Sequence, residues 1–459
     1  MDDAASPHAL PGDTWLIDRA HAAVKAARAV GADAAEAVVR AGHSTSVSVR
    51  LGALEDVDSA ADMGLALRLF VGQRAASIAI TDLSDQAMAD AAARALAMAR
   101  HAPDDPWTGL LDPQYLGKGA AIALDLVDGA SPPDAAMLHS AALRAEDAAR
   151  AVAGVSNSDG AHASYAIAAE AHVTSHGFAD AARSTSHSIS ASVIAGNGDA
   201  MQRDYDWHSA RHHADLLTPE EIGTRAGQRT IARLAPQMPD GGAMPIIFDP
   251  RVGASLIGHL LGAMSGPAIA RERSFLIGHE GAAIFPAAIS IIDDPHVVRG
   301  QRSYIFDGEG MASAPSRIVD HGVIGPWRCD MASARQLGRT PGGHGGHGGG
   351  TTSGNICLLP GGQSFAELIA DIDRGILVTE LVGQGVDPIT GDYSRGASGF
   401  AISGGEVAGP VSGFTIAGNL LEIFASLTAA NDLCTRYATH VPSLRSDALF
   451  VAGGMVDDE

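Results

Sequence analysis

Histidines mark the first places where this sequence could do chemistry. Gly342-Gly343-His344-Gly345-Gly346-His347-Gly348-Gly349-Gly350 sets two imidazoles three residues apart among seven glycines. Such a pair can ligate a metal once the chain around it is fixed. Fixing so many glycines is entropically costly, and the run holds no carboxylate or cysteine to complete a coordination sphere. The segment is therefore expected to be a mobile loop that covers substrate, with a metal site as the alternative. Gly278-His279-Glu280-Gly281 holds the His-Glu pair of zinc-peptidase helices, which need a second histidine one turn later. Ala, Ile, Phe and Pro occupy positions 283–286, so the pair reads as a surface turn. His259 lies in residues 252–264 (VGASLIGHLLGAM), apolar at helical spacing, and reads as a core or interface histidine. An enzyme acting by itself would have to assemble a metal from His259, His279, Glu280, His344 and His347. Asp392-Tyr393-Ser394-Arg395 places an acid and an arginine three apart beside flexible glycines, which suits an ion pair fixing a loop. No GxSxG elbow, Walker A loop or dinucleotide fingerprint following a strand is present.

The elements that must position these groups fall into two halves. Residues 1–13 read as a disordered leader. Residues 15–30 repeat apolar positions at helical spacing and stop at Gly31, a suitable C-cap. The period then changes to strands at 37–39, 46–51 and 64–71, with Gly52 in a tight hairpin turn, and 77–80 adds another. Ser84 caps an alanine-rich helix to about Arg100, and a second such helix spans roughly 133–151. In 186–193 the serines fall on one face and His187, Ile189, Ala191 and Val193 on the other. Thr218-Pro219-Glu220-Glu221 opens a linking helix to about Leu234. The Pro/Gly stretch 236–245 is the expected boundary, and 37 of the 54 glycines follow residue 240. The expectation is an α+β fold: an N-terminal domain (14–235) of antiparallel strands and Ala-rich helices, then a β-rich C-terminal domain (236–459) full of turns.

Composition narrows the function classes. The chain has 459 residues, 31 Lys+Arg and 53 Asp+Glu, for a formal net charge of −22. So acidic a surface repels phosphate, which argues against nucleic acid or an anionic membrane as partner. Cys329, Cys357 and Cys434 are too few and too scattered for a disulfide framework or a thiolate zinc site. No apolar run reaches the ~20 residues of a membrane span, and the acidic, proline-containing start is unlike a signal peptide, so a cytoplasmic protein is expected.

Residues 377–400, LVTELVGQGVDPITGDYSRGASGF, closely resemble the signature block of the TldD/PmbA (TldD/TldE) family. The resemblance extends from about Trp15 to Gly453. Val49-Arg50-Leu51-Gly52-Ala53-Leu54-Glu55 is similar to the family's N-terminal hairpin, and Met201-Gln202-Arg203-Asp204-Tyr205 to its mid-chain block. Phe275-Leu276-Ile277-Gly278, Phe306-Asp307-Gly308-Glu309-Gly310 and Ile416-Ala417-Gly418-Asn419-Leu420 resemble its C-terminal blocks.

That resemblance implies two related branches that pair as a heterodimer. One carries a zinc-binding HExxxH helix and cleaves unfolded or flexible peptides; the PmbA/TldE branch lacks it. On this chain the motif positions become Ile257, Gly258 and Gly262, none of which can bind zinc or move a proton. The implied role is a non-catalytic or substrate-guiding subunit with no cofactor of its own, zinc residing in a TldD-like partner; alone, the chain could form a homodimer. Gly383, Gln384, Gly385, Asp392, Arg395 and His259 are the candidates for shaping the peptide cavity. A regulatory protein of DNA gyrase, suggested by an older family name, is the remaining alternative.

Overall fold

The computed structural model describes residues 10–117 and 122–453. Most of the expected leader, residues 1–9, lies outside the described residues, and Asp13 already opens the first helix. Helix α1 (Asp13–Ala29) buries Leu16, Ala20, Ala23, Val24 and Ala27, the positions its periodicity singled out. Strands β1 (Ala34–Arg50), β2 (Ala53–Val71) and β3 (Arg74–Ile80) follow, then α2 (Asp85–His101), α3 (Ala135–Arg150), β4 (Val155–Thr174), β5 (Ala179–Ala195), β6 (Gln202–Ala210) and α4 (Pro219–Ala232). The strands form one antiparallel sheet in the order β3-β2-β1-β4-β5-β6. The segments 37–39 and 46–51 belong to one long strand: Gly42 to Thr45 continue the ladder, and their polarity had hidden it.

Strand alternation divides the sheet's labour. Odd-numbered residues of β1 and β4 carry the helices. Ala35, Ala37, Val39, Ala169 and Ala171 pack with α1 and α2; Val47, Val49, Ala161 and Ala163 pack with α3 and α4. The even-numbered face keeps Glu36, Arg40, Glu170 and His172 for other partners. Helix α4 starts with a capping box between Thr218 and Glu221. It lies so close to α3 that a Cβ on Gly223 would sit 2.0 Å from the Ala145 carbonyl oxygen.

The β1–β2 turn has an anchor outside the hairpin. Leu51 and Gly52 both adopt positive φ, 54° and 77°, the geometry that two-residue hairpin loops favour. Their amides donate to Glu146 Oε1 and Oε2 on α3, at 2.6 and 2.8 Å, and Glu146 is fully buried. Glu146→Ala removes both hydrogen bonds to a charged acceptor and leaves the turn without its anchor. We expect a loss of about 2 kcal/mol of stability, read from denaturant midpoints. An unchanged midpoint would show that the turn holds itself.

The outer half of β2 is unusual. Residues 53–62 are exposed and pair with β1 alone, because pairing with β3 starts at Leu65. This stretch carries Glu55, Asp56, Asp58 and Asp62 together with exposed Leu54 and Val57.

The C-terminal half is β-rich. Its eight-stranded sheet is centred on β7 (Ile246–Phe248), β8 (Arg374–Val382), β9 (Asp392–Ser403) and β10 (Glu406–Asn419). β7 and β8 are parallel; β8, β9 and β10 form an antiparallel meander. A five-stranded sheet that includes 291–294, 316–320 and 355–358 packs into the same core. Residues 242–243, inside the expected hinge, pair with 450–451 at the sheet edge. The whole is α+β with antiparallel sheets, as expected. No helix of the described residues is long and apolar enough to cross a membrane.

Candidate functional site

β7 leads straight into helix α5 (Pro250–Ala263). Asp249 caps it, accepting from the Arg251 amide, and Pro250 takes the first helical position. Leu256, Ile257, Leu260 and Ala263 turn into the core. Ile257 is fully buried, whereas Gly258 and Gly262, four apart on the exposed side, have open space where a Cβ would be. Where the resemblance puts a zinc motif, the helix therefore shows one buried aliphatic side chain and a bare strip of backbone.

His259 faces β9. Its ring meets Tyr393 edge-on at 6.2 Å between centroids. Its buried Nε2 makes no hydrogen bond. Burial, helped by the Arg395 charge, pushes its pKa down, which favours the neutral ring. Tyr393 is 1% exposed, its hydroxyl also lacks a partner, and burial pushes it up to about 12.

Arg395 shares a strand face with Tyr393, and that overturns one expectation. Residues three apart in a strand point to opposite faces, so Asp392 and Arg395 cannot form the ion pair expected of them. Asp392 accepts instead from Thr390 Oγ1 at 2.8 Å and Asn419 Nδ2 at 3.3 Å. Arg395 donates through Nε to the Val382 carbonyl at 3.3 Å. Gly383, Gln384 and Gly385 form the exposed turn beside it; Gly383 has φ +85° and a Cβ on Gly385 would lie 2.0 Å from the Ser394 oxygen.

Arg395 opens onto a cavity of about 280 Å³ between the two halves of the chain. Arg203, Asp204 and Tyr205 from β6, Arg233 from the end of α4, Arg251 and Ser255 from α5, and Glu380 from β8 complete its main walls. Asp204, 4% exposed, receives Arg251 Nη1 at 3.1 Å and Arg233 Nη1 at 3.4 Å. Arg233 also pairs with Glu380, and Arg203 with Asp159 at 3.0 Å. Of these arginines only Arg395 was a cavity candidate from the sequence; the others come from separate elements that no sequence pattern links. Two blocks that carry the resemblance, 201–205 and 377–400, nevertheless meet in this cavity.

The remaining histidine candidates stay apart. His344 is 9% exposed, its Nδ1 lies 3.2 Å from Arg328 Nη2, and burial with that charge pushes its pKa down to about 3. His347 Nε2 pairs with Glu170 Oε1 on β4 at 2.6 Å, its ring edge-on to His172. Glu280 pairs with Arg339 and accepts from the Trp327 amide. Among the described residues, no three His, Cys, Asp or Glu side chains come together to hold a metal.

The mobile loop expected at 342–350 is instead pinned. Gly345 N donates to Asp307 Oδ2 at 2.7 Å and Gly350 N to Asp330 Oδ2 at 2.8 Å, while Gly308 N donates to the Gly345 carbonyl. These carboxylate acceptors and the His347–Glu170 pair offset the ordering cost that glycine content alone suggested. Here glycine also permits close approach: a Cβ on Gly345 would lie 2.4 Å from Glu309 Oε2.

Comparison with known proteins matches this architecture. PmbA/TldA metallopeptidase models cover residues 35–99 (domain 1), 128–234 (central domain) and 241–453 (C-terminal domain). Metalloprotease PmbA of Escherichia coli is 37% identical over 427 residues, 92% of each chain. The chain belongs to the PmbA/TldD family. A solved Bacteroides thetaiotaomicron member, named as a candidate modulator of DNA gyrase, superposes with a TM-score of 0.86 over 95% of this chain and 98% of that one, at 27% identity. TldE of Thermococcus kodakarensis shares the fold: TM-score 0.82, 22% identity, covering 95% of this chain and 100% of that one.

Proposed function

We propose that this PmbA/TldD-family chain is the zinc-free, substrate-guiding subunit of a cytoplasmic metallopeptidase. Its catalytic partner is a homologous TldD-like chain that holds the zinc, and its substrates are unfolded or flexible peptides. The observation that carries this reading is helix α5. A peptidase zinc needs about three protein ligands and a carboxylate to activate water. Ile257 is sealed in the core, Gly258 and Gly262 have no side chains, and His259 faces Tyr393 without a second ligand beside it. These residues do not fit zinc.

The bare strip on α5 and the exposed turn 383–385 suit passage of an extended main chain, whose hydrogen bonding tolerates varied sequence. An obligate interface of upwards of ~2,000 Å², built by the C-terminal half, is expected with the partner. Mixing the two purified chains should give a 1:1 complex by size exclusion and peptidase activity that neither shows alone. Metal analysis of this chain by itself should find no stoichiometric zinc. Chelator-sensitive cleavage by a homogeneous preparation of this chain, or a partner fully active alone that never co-elutes, would overturn the proposal.

A further inference from the structure

We propose that the arginine-lined cavity between β6, α4, α5 and β9 seats a carboxylate of the bound peptide, with Arg395 as its principal donor. This rests on the peptide-guiding reading above and names the chemistry that one part of the site recognises.

Four guanidinium groups and two carboxylates line this cavity, a formal excess of two positive charges in a chain whose net charge is −22. The two acids are already committed. Asp204 holds Arg233 and Arg251, and Glu380 holds Arg233. Arg203 is paired outward with Asp159. Arg395 is different: its one hydrogen bond goes to a backbone carbonyl through Nε, and among the described residues no carboxylate pairs with it. Its terminal nitrogens keep the forked donor geometry that matches a carboxylate.

Further unsatisfied donors stand close by. Arg251 Nε, on the cavity wall, is buried without a hydrogen bond, with Asp249 Oδ1 3.5 Å away. The Tyr393 hydroxyl and His259 Nε2, on the Arg395 side of α5 and β9, are buried and unpartnered as well. Buried polar groups are seldom left unpaired in a finished site, and Arg251, the one of these three residues that lines the cavity, is the one an acceptor from outside would meet. About 280 Å³ is just below the usual range for ligand pockets, a size for one end or one side chain of a peptide rather than a long segment. The C-terminal carboxylate and an acidic side chain share the required chemistry.

Titration calorimetry with three versions of one short, flexible, N-acetylated peptide tests the proposal. It uses the full-length chain assembled with its TldD-like partner, stripped of zinc by chelation so that nothing is cleaved. The first has a free C-terminal carboxylate, the second a C-terminal amide, and the third an amide with one internal glutamate. The free acid should bind at least ten-fold more tightly than the plain amide, and Arg395→Gln should abolish the difference while Arg395→Lys keeps part of it. Arg203→Gln, at the outer wall, should reduce the same preference and serves if the first variant fails to fold. Recovery of affinity by the glutamate-bearing amide supports the carboxylate seat and assigns it to a side chain. Equal affinities for acid and plain amide overturn this proposal and leave the peptide-guiding reading standing. Binding of none of the three overturns both.

Discussion

Replacing Glu309 with glutamine should stabilise the protein at pH 8, by a margin over wild type that grows as pH rises from 5 to 8. Glu309 sits beneath the pinned glycine loop, where burial, and then the neighbouring charge of Asp307, push its carboxyl up to about 8. The Met331 amide is its hydrogen-bond donor, at 2.9 Å. The unfolded chain releases this proton near the ordinary value of about 4.3. Between the two values the folded state binds the extra proton, so stability falls as pH rises, by about 1.4 kcal/mol per unit. Over the whole window the loss amounts to about 3–5 kcal/mol. Burial pushes Asp307 up as well, which adds to the same slope. Glutamine keeps an acceptor for Met331 and has no proton to lose. Denaturant midpoints of wild type and Glu309→Gln at pH 5, 6, 7 and 8 decide it. Buried histidines such as His344, held neutral in the fold, add an opposite slope below about pH 6.5, so the readout is the difference between the two proteins. A difference that does not change with pH shows that Glu309 is ionised when folded.

Two alanine substitutions within one block should have opposite outcomes. A Cβ on Gly399 would stand 1.9 Å from the Leu377 carbonyl oxygen and 3.0 Å from the Val378 Cα, all backbone of β8, at a point where the pairing register shifts. Nothing flexible can move aside, so the central meander must open. Gly399→Ala is expected to cost more than about 4 kcal/mol, seen as loss of soluble protein or a collapsed melting temperature. At Gly396 the nearest atom is the Val382 Cβ at 3.5 Å, an ordinary contact. Gly396→Ala should stay within about 0.5 kcal/mol of wild type. Similar losses at both positions would show that the block is constrained by something other than backbone approach. Gly396 thus lacks the geometric need that Gly383, Gly385 and Gly399 show.

Local signals were legible; long-range ones were not. Helices α1 to α4 announced themselves through apolar spacing and caps such as Ser84 and Thr218, because those interactions span three or four residues. The hairpin turn at Gly52 was equally plain, yet its anchor Glu146 was hidden, since a buried glutamate on a helix gives no sign of what it will bind. Asp392 and Arg395 stay apart because a strand's two-residue period sends residues three apart to opposite faces, which spacing alone does not reveal. Glycine content alone suggested a free loop at 342–350, whereas the carboxylates of Asp307 and Asp330 that hold it lie elsewhere in the sequence. Arg203 and Arg395 each stood in a recognisable block, but only the fold brings β6, α5 and β9 around one cavity.

The outer half of β2 leaves an open ladder of backbone donors and acceptors along residues 53–62. A bare strand edge invites another strand, and a second copy of this chain always offers one. Glu55, Asp56, Asp58 and Asp62 mean that two such edges approach with like charge facing like charge. That repulsion acts through solvent and fades beyond a screening length of about 10 Å at 0.1 M salt. Ionic strength is thereby expected to set the colloidal behaviour of the protein: light scattering should find copies dispersed in dilute buffer and associating through these edges in brine.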